Sequence, residues 1–435
     1  MKKSTENLFT ADGFNKCNKT MLFCAALLFI IGIVFVFEAD RTAILSRNSK
    51  GILQIFWSAL GLLSASFFLL INYKKLAHEK FLLFFLGVLT TMLGVLAVCS
   101  IINIFGDEVR VRLPGFGIRR INGAYRWLQL GPITFQPSVF VQVFLILFIA
   151  SHLSKTADDN KRKGNVKGAA SSSAKKNTPA PKMHFAKSDS EHFPEFVKGR
   201  AGLFLVKYRS QCLAILIFGL VLVQPSTSVA ISVMLTAVAM MILKNPKILF
   251  RRISAIVLLV LVLLGVVAWN AFPHIRERIV RGGDNFQSRQ AVLAIGSGGV
   301  FGLGLGNSEA KHSRLPEIEN DYIFSLIAEE TGFVGSIVFM GIYVLFIFMG
   351  FLTAMRAQDS FGKLAAFGFT VNYAFAFLVH LFVNLGFIST GAGLPFVSYG
   401  GTAMIADSIA LGILLNISAT GAPATKLTKI RQNPN

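Results

Sequence analysis

The apolar positions of the chain fall into ten runs separated by polar stretches: 21–37, 51–72, 81–105, 137–151, 211–223, 226–243, 253–272, 322–354, 361–387 and 398–419. A helix that crosses a bilayer needs about 20 mostly apolar residues. Most of these runs reach that length; the fourth and fifth are shorter. The fifth and sixth meet at Gln224–Pro225–Ser226, where the proline favours a turn. As a single helix, 211–243 at about 1.5 Å per residue would far exceed a hydrocarbon core of about 30 Å. The pattern therefore predicts a tight hairpin there. The whole reads as an all-α polytopic membrane protein of ten transmembrane helices.

An even number of crossings puts both termini on one side. On that side lie the N-terminal segment 1–20, the loop 152–210 between helix groups 21–151 and 211–419, and the tail 420–435. These segments and the short basic turns beside them carry roughly twice the Lys and Arg of the other side, which makes them cytoplasmic. Most of that excess comes from 152–210. Its composition (KGNVKGAASSSAKKNTPAPK) cannot bury a core, so disorder is expected from about 156 to 190. It suits a solvated linker or a contact with anionic membrane lipids.

The opposite side holds three segments of another kind: 106–136, a loop of nearly fifty residues at 273–321 between the seventh and eighth helices, and 385–401. Loops longer than about 15 residues are usually functional or disordered. These set Trp127, Phe286, Phe301, Phe396 and Tyr399 among glycines, unlike linkers. They are expected to be structured and to roof an outward cavity.

Composition agrees. The 435 residues are 53% hydrophobic and 15% charged, and mean hydropathy is +0.60. Soluble domains carry about 25% charged residues. The net charge of +21 follows from the basic cytoplasmic segments and does not indicate nucleic acid. The cysteines (Cys17, Cys24, Cys99, Cys212) form no CxxC and read as small core residues. The histidines have no metal-ligand spacing, and GLGLG at 302–306 lacks the strand–helix junction of a nucleotide site. Lys2 and Lys3 precede an apolar run that starts only at Met21, with no cleavage signal behind it; the first helix is read as uncleaved.

The candidate chemistry concentrates in FGLGLGNSEAKHSRLPEIENDYIFSLIAEETGFVG at 301–335. If the helix runs from 321, then Asp321, Ser325, Ala328, Gly332 and Gly335 fall within about 40° of one stripe. Small residues on a membrane helix allow close packing, so Asp321 would begin the face turned into the bundle. An ionisable residue there costs about 2.5–3.5 kcal/mol and is a functional candidate. The competing reading is an N-cap. Glu330 falls on the opposite side from Asp321. Lys311 and Arg314 are near enough to form an anion site with Arg126 or Arg289 for a phosphate or pyrophosphate; the alternative is a basic rim that snorkels to lipid. Asp407, His380 and Asn384 read as polar glue between helices.

Four motifs now resemble those of one family, the SEDS proteins of bacterial cell-wall growth (FtsW, RodA and SpoVE). They are Asn122–Gly123–Ala124–Tyr125–Arg126–Trp127, Gln136–Pro137–Ser138, the 302–335 stretch, and GAGLPFVSYGGT at 391–402. HIRERIVRGGDNFQ at 274–287 leans toward FtsW. The resemblance covers about 21–419. It implies a multi-pass protein of the bacterial inner membrane, and a peptidoglycan glycosyltransferase that polymerises lipid II, an undecaprenyl-pyrophosphate-linked disaccharide peptide. Asp321 matches the family's catalytic acid. Arg126, Lys311, Arg314, Glu317, Ser398 and Tyr399 become candidate substrate contacts. Side-chain cations or a divalent metal ion would balance the leaving pyrophosphate. The implied partners are a class B penicillin-binding transpeptidase and other divisome membrane proteins. The alternatives are a non-catalytic divisome scaffold and a lipid II flippase. The chain departs from the family pattern at Val139, Gln142 and Ser226, where charged residues are usual, and at Glu319–Asn320.

Overall fold

The computed structural model describes residues 17–40, 49–104, 111–113, 116–118, 120, 124–131, 133–174, 200–224, 226–244, 286–311 and 315–421. Its helices are α1 (Lys19–Ala39), α2 (Lys50–Leu70), α3 (Glu79–Ile104), α4 (Pro137–Ala174), α5 (Arg200–Val223), α6 (Thr227–Lys244), α7 (Phe286–Ser297), α8 (Ile323–Arg356), α9 (Ser360–Asn384) and α10 (Gly401–Gly421). Eight of them have segments long and apolar enough to cross a membrane, and Tyr208–Val223 of α5 is a shorter apolar helix. Nine of the ten apolar runs therefore lie on helices. The expected seventh, 253–272, lies outside the described residues, as do both termini. The short α7 belongs to the 273–321 segment.

Several helix ends are fixed by side chains. The Asn18 carboxamide accepts from Met21 N at 3.1 Å and starts α1. Asp359 caps α9 through Gly362 N at 2.9 Å. The spanning segments are apolar over most of their surface, as expected for lipid contact; α1 buries Met21, Cys24 and Leu28 while exposing Phe23 and Ile30. α9 is central, packing against α8, α6, α4 and α10.

Close approaches depend on small residues. A Cβ added to Gly412 of α10 would lie 2.3 Å from the Ala65 carbonyl oxygen of α2. That neighbour is backbone, so the two helices would have to separate. Gly412→Val is expected to destabilise the protein by about 1–3 kcal/mol, read as a lower melting temperature in detergent.

Two expectations are corrected. The chain is mostly helical rather than all-α. Val111–Leu113, Phe116–Ile118, Leu128–Leu130 and Ile133–Phe135 (β1 to β4) form an antiparallel four-stranded meander in sequence order. It pairs Val111 with Ile118, Phe116 with Leu130 and Leu128 with Phe135. Ile118, Tyr125 and Leu128 form a small core with Leu96 and Cys99 of α3. The second correction concerns the cytoplasmic loop. Where disorder was expected from about 156 to 190, the described backbone is helical to Ala174, and 175–190 lie outside the described residues. An established membrane helix needs no new nucleus to extend, and the Ala and Lys that follow are good helix formers.

α8 is broken at Gly332, which has φ 70° and ψ −167°. The segment before it in the chain, 298–304, lies against this break. Phe333 N donates to Gly299 O (2.9 Å), Val334 N to Val300 O (3.1 Å), Leu303 N to Glu329 O (3.0 Å) and Gly304 N to Glu330 O (3.0 Å). Gly302, with φ +82°, would bring an added Cβ to 2.2 Å from Glu330 O. Only glycine combines this backbone conformation with this approach.

Candidate active site

The turn before α8 sets Asp321. Asn320 N and Asp321 N both donate to Glu317 O at 3.0 Å, with Glu317 at φ 58°. The helix begins at Ile323 with Tyr322 as its N-cap residue and no side-chain cap bond of its own. This corrects both sequence readings of Asp321. It precedes the helix instead of starting its stripe, and the N-cap residue is Tyr322. Capping comes from Asn384 at the end of α9, whose Oδ1 accepts from Ser325 N (2.9 Å) and Ser325 Oγ (2.7 Å).

Asp321 instead turns to the 385–400 segment, where Ala392 N donates to its Oδ1 at 2.9 Å. That segment is pinned on both sides. Ser228 Oγ donates to Gly391 O at 2.6 Å, and Thr227 and Thr390 hydroxyls are 3.0 Å apart. Ser398 Oγ accepts from Leu394 N (2.8 Å) and donates to Asn320 O (2.6 Å). Tyr399 N donates to Glu319 O at 2.9 Å, and the Glu319 carboxylate pairs with Lys50 of α2. Burial pushes the Tyr399 phenol above its usual range, with the Lys50 charge opposing this.

These pieces enclose a cavity of about 630 Å³ whose charged wall residues are Arg126, Glu317, Asp321 and Asp407. Arg126 donates through Nε to Gln224 O at 3.1 Å, and its guanidinium lies 5.9 Å from the Trp127 ring centre. The cavity thus brings together Arg126, Glu317, Asp321, Ser398 and Tyr399 of the expected residues. The Ser398 hydroxyl is used in bonds to Asn320 and Leu394, which makes it a brace between two walls.

Lys311 is not in the cavity wall. It is buried, with Nζ against Gly306 O and 3.5 Å from both Glu38 and Glu330. The anion site expected from sequence proximity is corrected accordingly: the broken α8 carries Glu330 to Lys311 and draws the ammonium inward. Glu329 is buried beside it and accepts from Glu309 N (3.0 Å), Ala310 N (3.2 Å) and Ser308 Oγ. Arg314 lies outside the described residues, and Arg289 is not in the wall.

In the floor of the cavity the sequence singled out Gln142, but sequence reasoning missed its partners Ser232 and Asn372. Gln142 of α4 donates to Ser232 Oγ of α6 (2.7 Å) and to Asn372 Oδ1 of α9, and Ser232 Oγ also donates to Asn372 Oδ1 (2.7 Å). Asn372 stands out as an amide in an apolar run, which was the signal available. Asp407 was expected to hydrogen-bond a neighbouring helix, and its bond to α9 runs through the backbone. Its backbone carbonyl accepts from Tyr373 (2.7 Å), and its side chain lines the cavity. No group of three His, Cys, Asp or Glu among the described residues could hold a metal ion.

The FtsW/RodA/SpoVE model, described as cell cycle protein, matches residues 18–176 and 192–422. The chain belongs to this family. A probable peptidoglycan glycosyltransferase FtsW of Trichlorobacter lovleyi is 30% identical over 324 residues, 72% of each chain. One of Pseudomonas fluorescens is 30% identical over 364 residues, 79% of each. A chain from a solved peptidoglycan synthase complex shares the fold, with a TM-score of 0.64 at 21% identity over 93% of this chain and 98% of that one. The FtsW/RodA/SpoVE motifs meet in space: Arg126, Gln136, Asp321, Ser398 and Tyr399, drawn from all four, line one cavity. The departures from the FtsW/RodA/SpoVE pattern at Val139, Gln142 and Ser226 line it too, and the bonds from Gln142 to Ser232 and Asn372 make the floor a neutral network.

Proposed function

We propose that this chain is an inner-membrane peptidoglycan glycosyltransferase that polymerises lipid II during cell division, with Asp321 as general base. The observation that carries this reading is a carboxylate held at a cavity wall by the Ala392 N–H, with Arg126 in the same cavity. The FtsW relatives support the reaction class, since their names give peptidoglycan glycosyltransferase.

In the reaction, the acceptor sugar hydroxyl attacks the anomeric carbon of the donor chain. Its proton passes to the Asp321 carboxylate. The new glycosidic bond forms as the bond to the pyrophosphate breaks, and undecaprenyl pyrophosphate leaves with the electron pair. Arg126 suits the developing negative charge. A divalent cation carried in on the pyrophosphate is the alternative counter-charge. The likeness to a chain of a peptidoglycan synthase complex supports a class B penicillin-binding transpeptidase as partner, within a larger set of divisome membrane proteins.

A scaffold reading draws on the neutral residues Val139, Gln142 and Ser226 in the cavity. The deciding experiment supplies lipid II to the chain purified with its transpeptidase and compares Asp321→Asn. Glycan strands from the unmutated complex alone support the enzyme. Equal strands from both, or none from either, overturn it.

A further inference from the structure

Asp321 is held twice by one helix. At the end of α9, Asn384 Nδ2 donates to the Asp321 carbonyl oxygen (3.0 Å) and to His380 O (2.8 Å). One turn earlier, His380 Nδ1 lies 2.6 Å from the Ala392 carbonyl oxygen. A carbonyl only accepts, so Nδ1 carries the hydrogen. The same Ala392 donates its N–H to Asp321 Oδ1 at 2.9 Å. The chain of bonds closes on itself: Asp321 carboxylate, Ala392 backbone, His380, Asn384, Asp321 backbone.

Both side chains are wholly buried, and His380 Nε2 has no partner among the described residues. An imidazole buried with one nitrogen unsatisfied destabilises a fold relative to an apolar ring. Packing therefore does not account for a histidine here, whereas the bond to Ala392 does. We infer that His380 and Asn384 are positioning residues that fix the Asp321 carboxylate for proton transfer, His380 through the Ala392 peptide and Asn384 through the Asp321 backbone. The inference rests on the reading of Asp321 as base. A base must reach its proton at about 2.6–3.2 Å, and a displacement of about 1 Å lowers a rate by about 100-fold.

The test uses the full chain with its transpeptidase partner, and lipid II as the probe. His380→Leu keeps bulk but has no donor. His380→Asn returns an amide N–H near the position of Nδ1. The expected result for His380→Leu is a fall of about 10- to 100-fold in kcat with KM for lipid II unchanged. It also includes faster hydrogen exchange over residues 388–394. His380→Asn is expected to recover most of both. A melting temperature of His380→Leu at or above the unmutated value would show that the loss is not misfolding. If His380→Leu matches the unmutated protein in rate and exchange while Asp321→Asn is inactive, the positioning role is overturned and the base reading stands. If Asp321→Asn is fully active, the base reading fails and takes this catalytic role with it; the exchange data then report only whether His380 holds the Ala392 segment.

Discussion

Asp321→Asn is expected to leave the protein folded and to lower lipid II polymerisation by about 100- to 10,000-fold. The substitution is nearly isosteric. An asparagine side-chain oxygen still accepts from Ala392 N, and the residue's carbonyl still accepts from Asn384, as both do now at 2.9 and 3.0 Å. The turn through Glu317 O uses backbone atoms only. The bonds to Ala392 and Asn384 are kept, and the melting temperature should move little. What disappears is the capacity to take up a proton, because a carboxamide is not a base at neutral pH. Asp321→Glu makes the complementary variant: it keeps the base but adds a methylene in a site where the Asp321 carboxylate lies 3.2 Å from a Cβ built on Gly391. It should retain more activity than Asp321→Asn and less than the unmutated chain. Strand length and yield on gels, beside a thermal melt of each variant, check all three. A purely scaffolding chain would give the same result for every one of them.

The membrane helices were legible because their signal is long and redundant. The first apolar run, 21–37, became Lys19–Ala39 once its Asn18 cap was included. The ninth, 361–387, became Ser360–Asn384. Where the sequence misled, the controlling contact came from far away. Gly332 reads as one more small residue in a packing stripe, yet it marks a break filled by backbone from residues 298–304. Lys311 sits near the candidate acid in the chain, but the break brings Glu330 to it from the other side. Asp321 looked like a cap because nothing local reveals that Asn384, 63 residues later, does the capping through Ser325. The sheet was hidden by size: strands of three residues give too little alternation to rise above the surrounding pattern. The motif residues of the cavity were legible, whereas its neutral floor of Gln142, Ser232 and Asn372 needed three helices in register.

Lys311→Met should be the most destabilising of the single changes considered. The Glu330 side chain is 0% exposed, and its cation is Lys311 at 3.5 Å. Glu38, the other carboxylate on Lys311, is 34% exposed and can turn to water. Removing the ammonium strands Glu330 in a medium of low polarity, a change that costs about 3–5 kcal/mol when one half of a buried pair is lost. For a chain of 435 residues that corresponds to a fall of roughly 3–6 °C in melting temperature. The loss should be reversible by a second change. Lys311→Met with Glu330→Gln removes both charges and is expected to recover most of the stability, since the neutral amide can still accept a bond within the cluster. A phosphate-binding lysine would behave in the opposite way. Its removal would leave the melt unchanged and raise KM for lipid II, and Glu330→Gln would not restore it. The double variant therefore separates a lysine that anchors the break in α8 from one that holds substrate. The burial of Lys311 beside Glu330 and Gly306, outside the cavity wall, predicts the anchor.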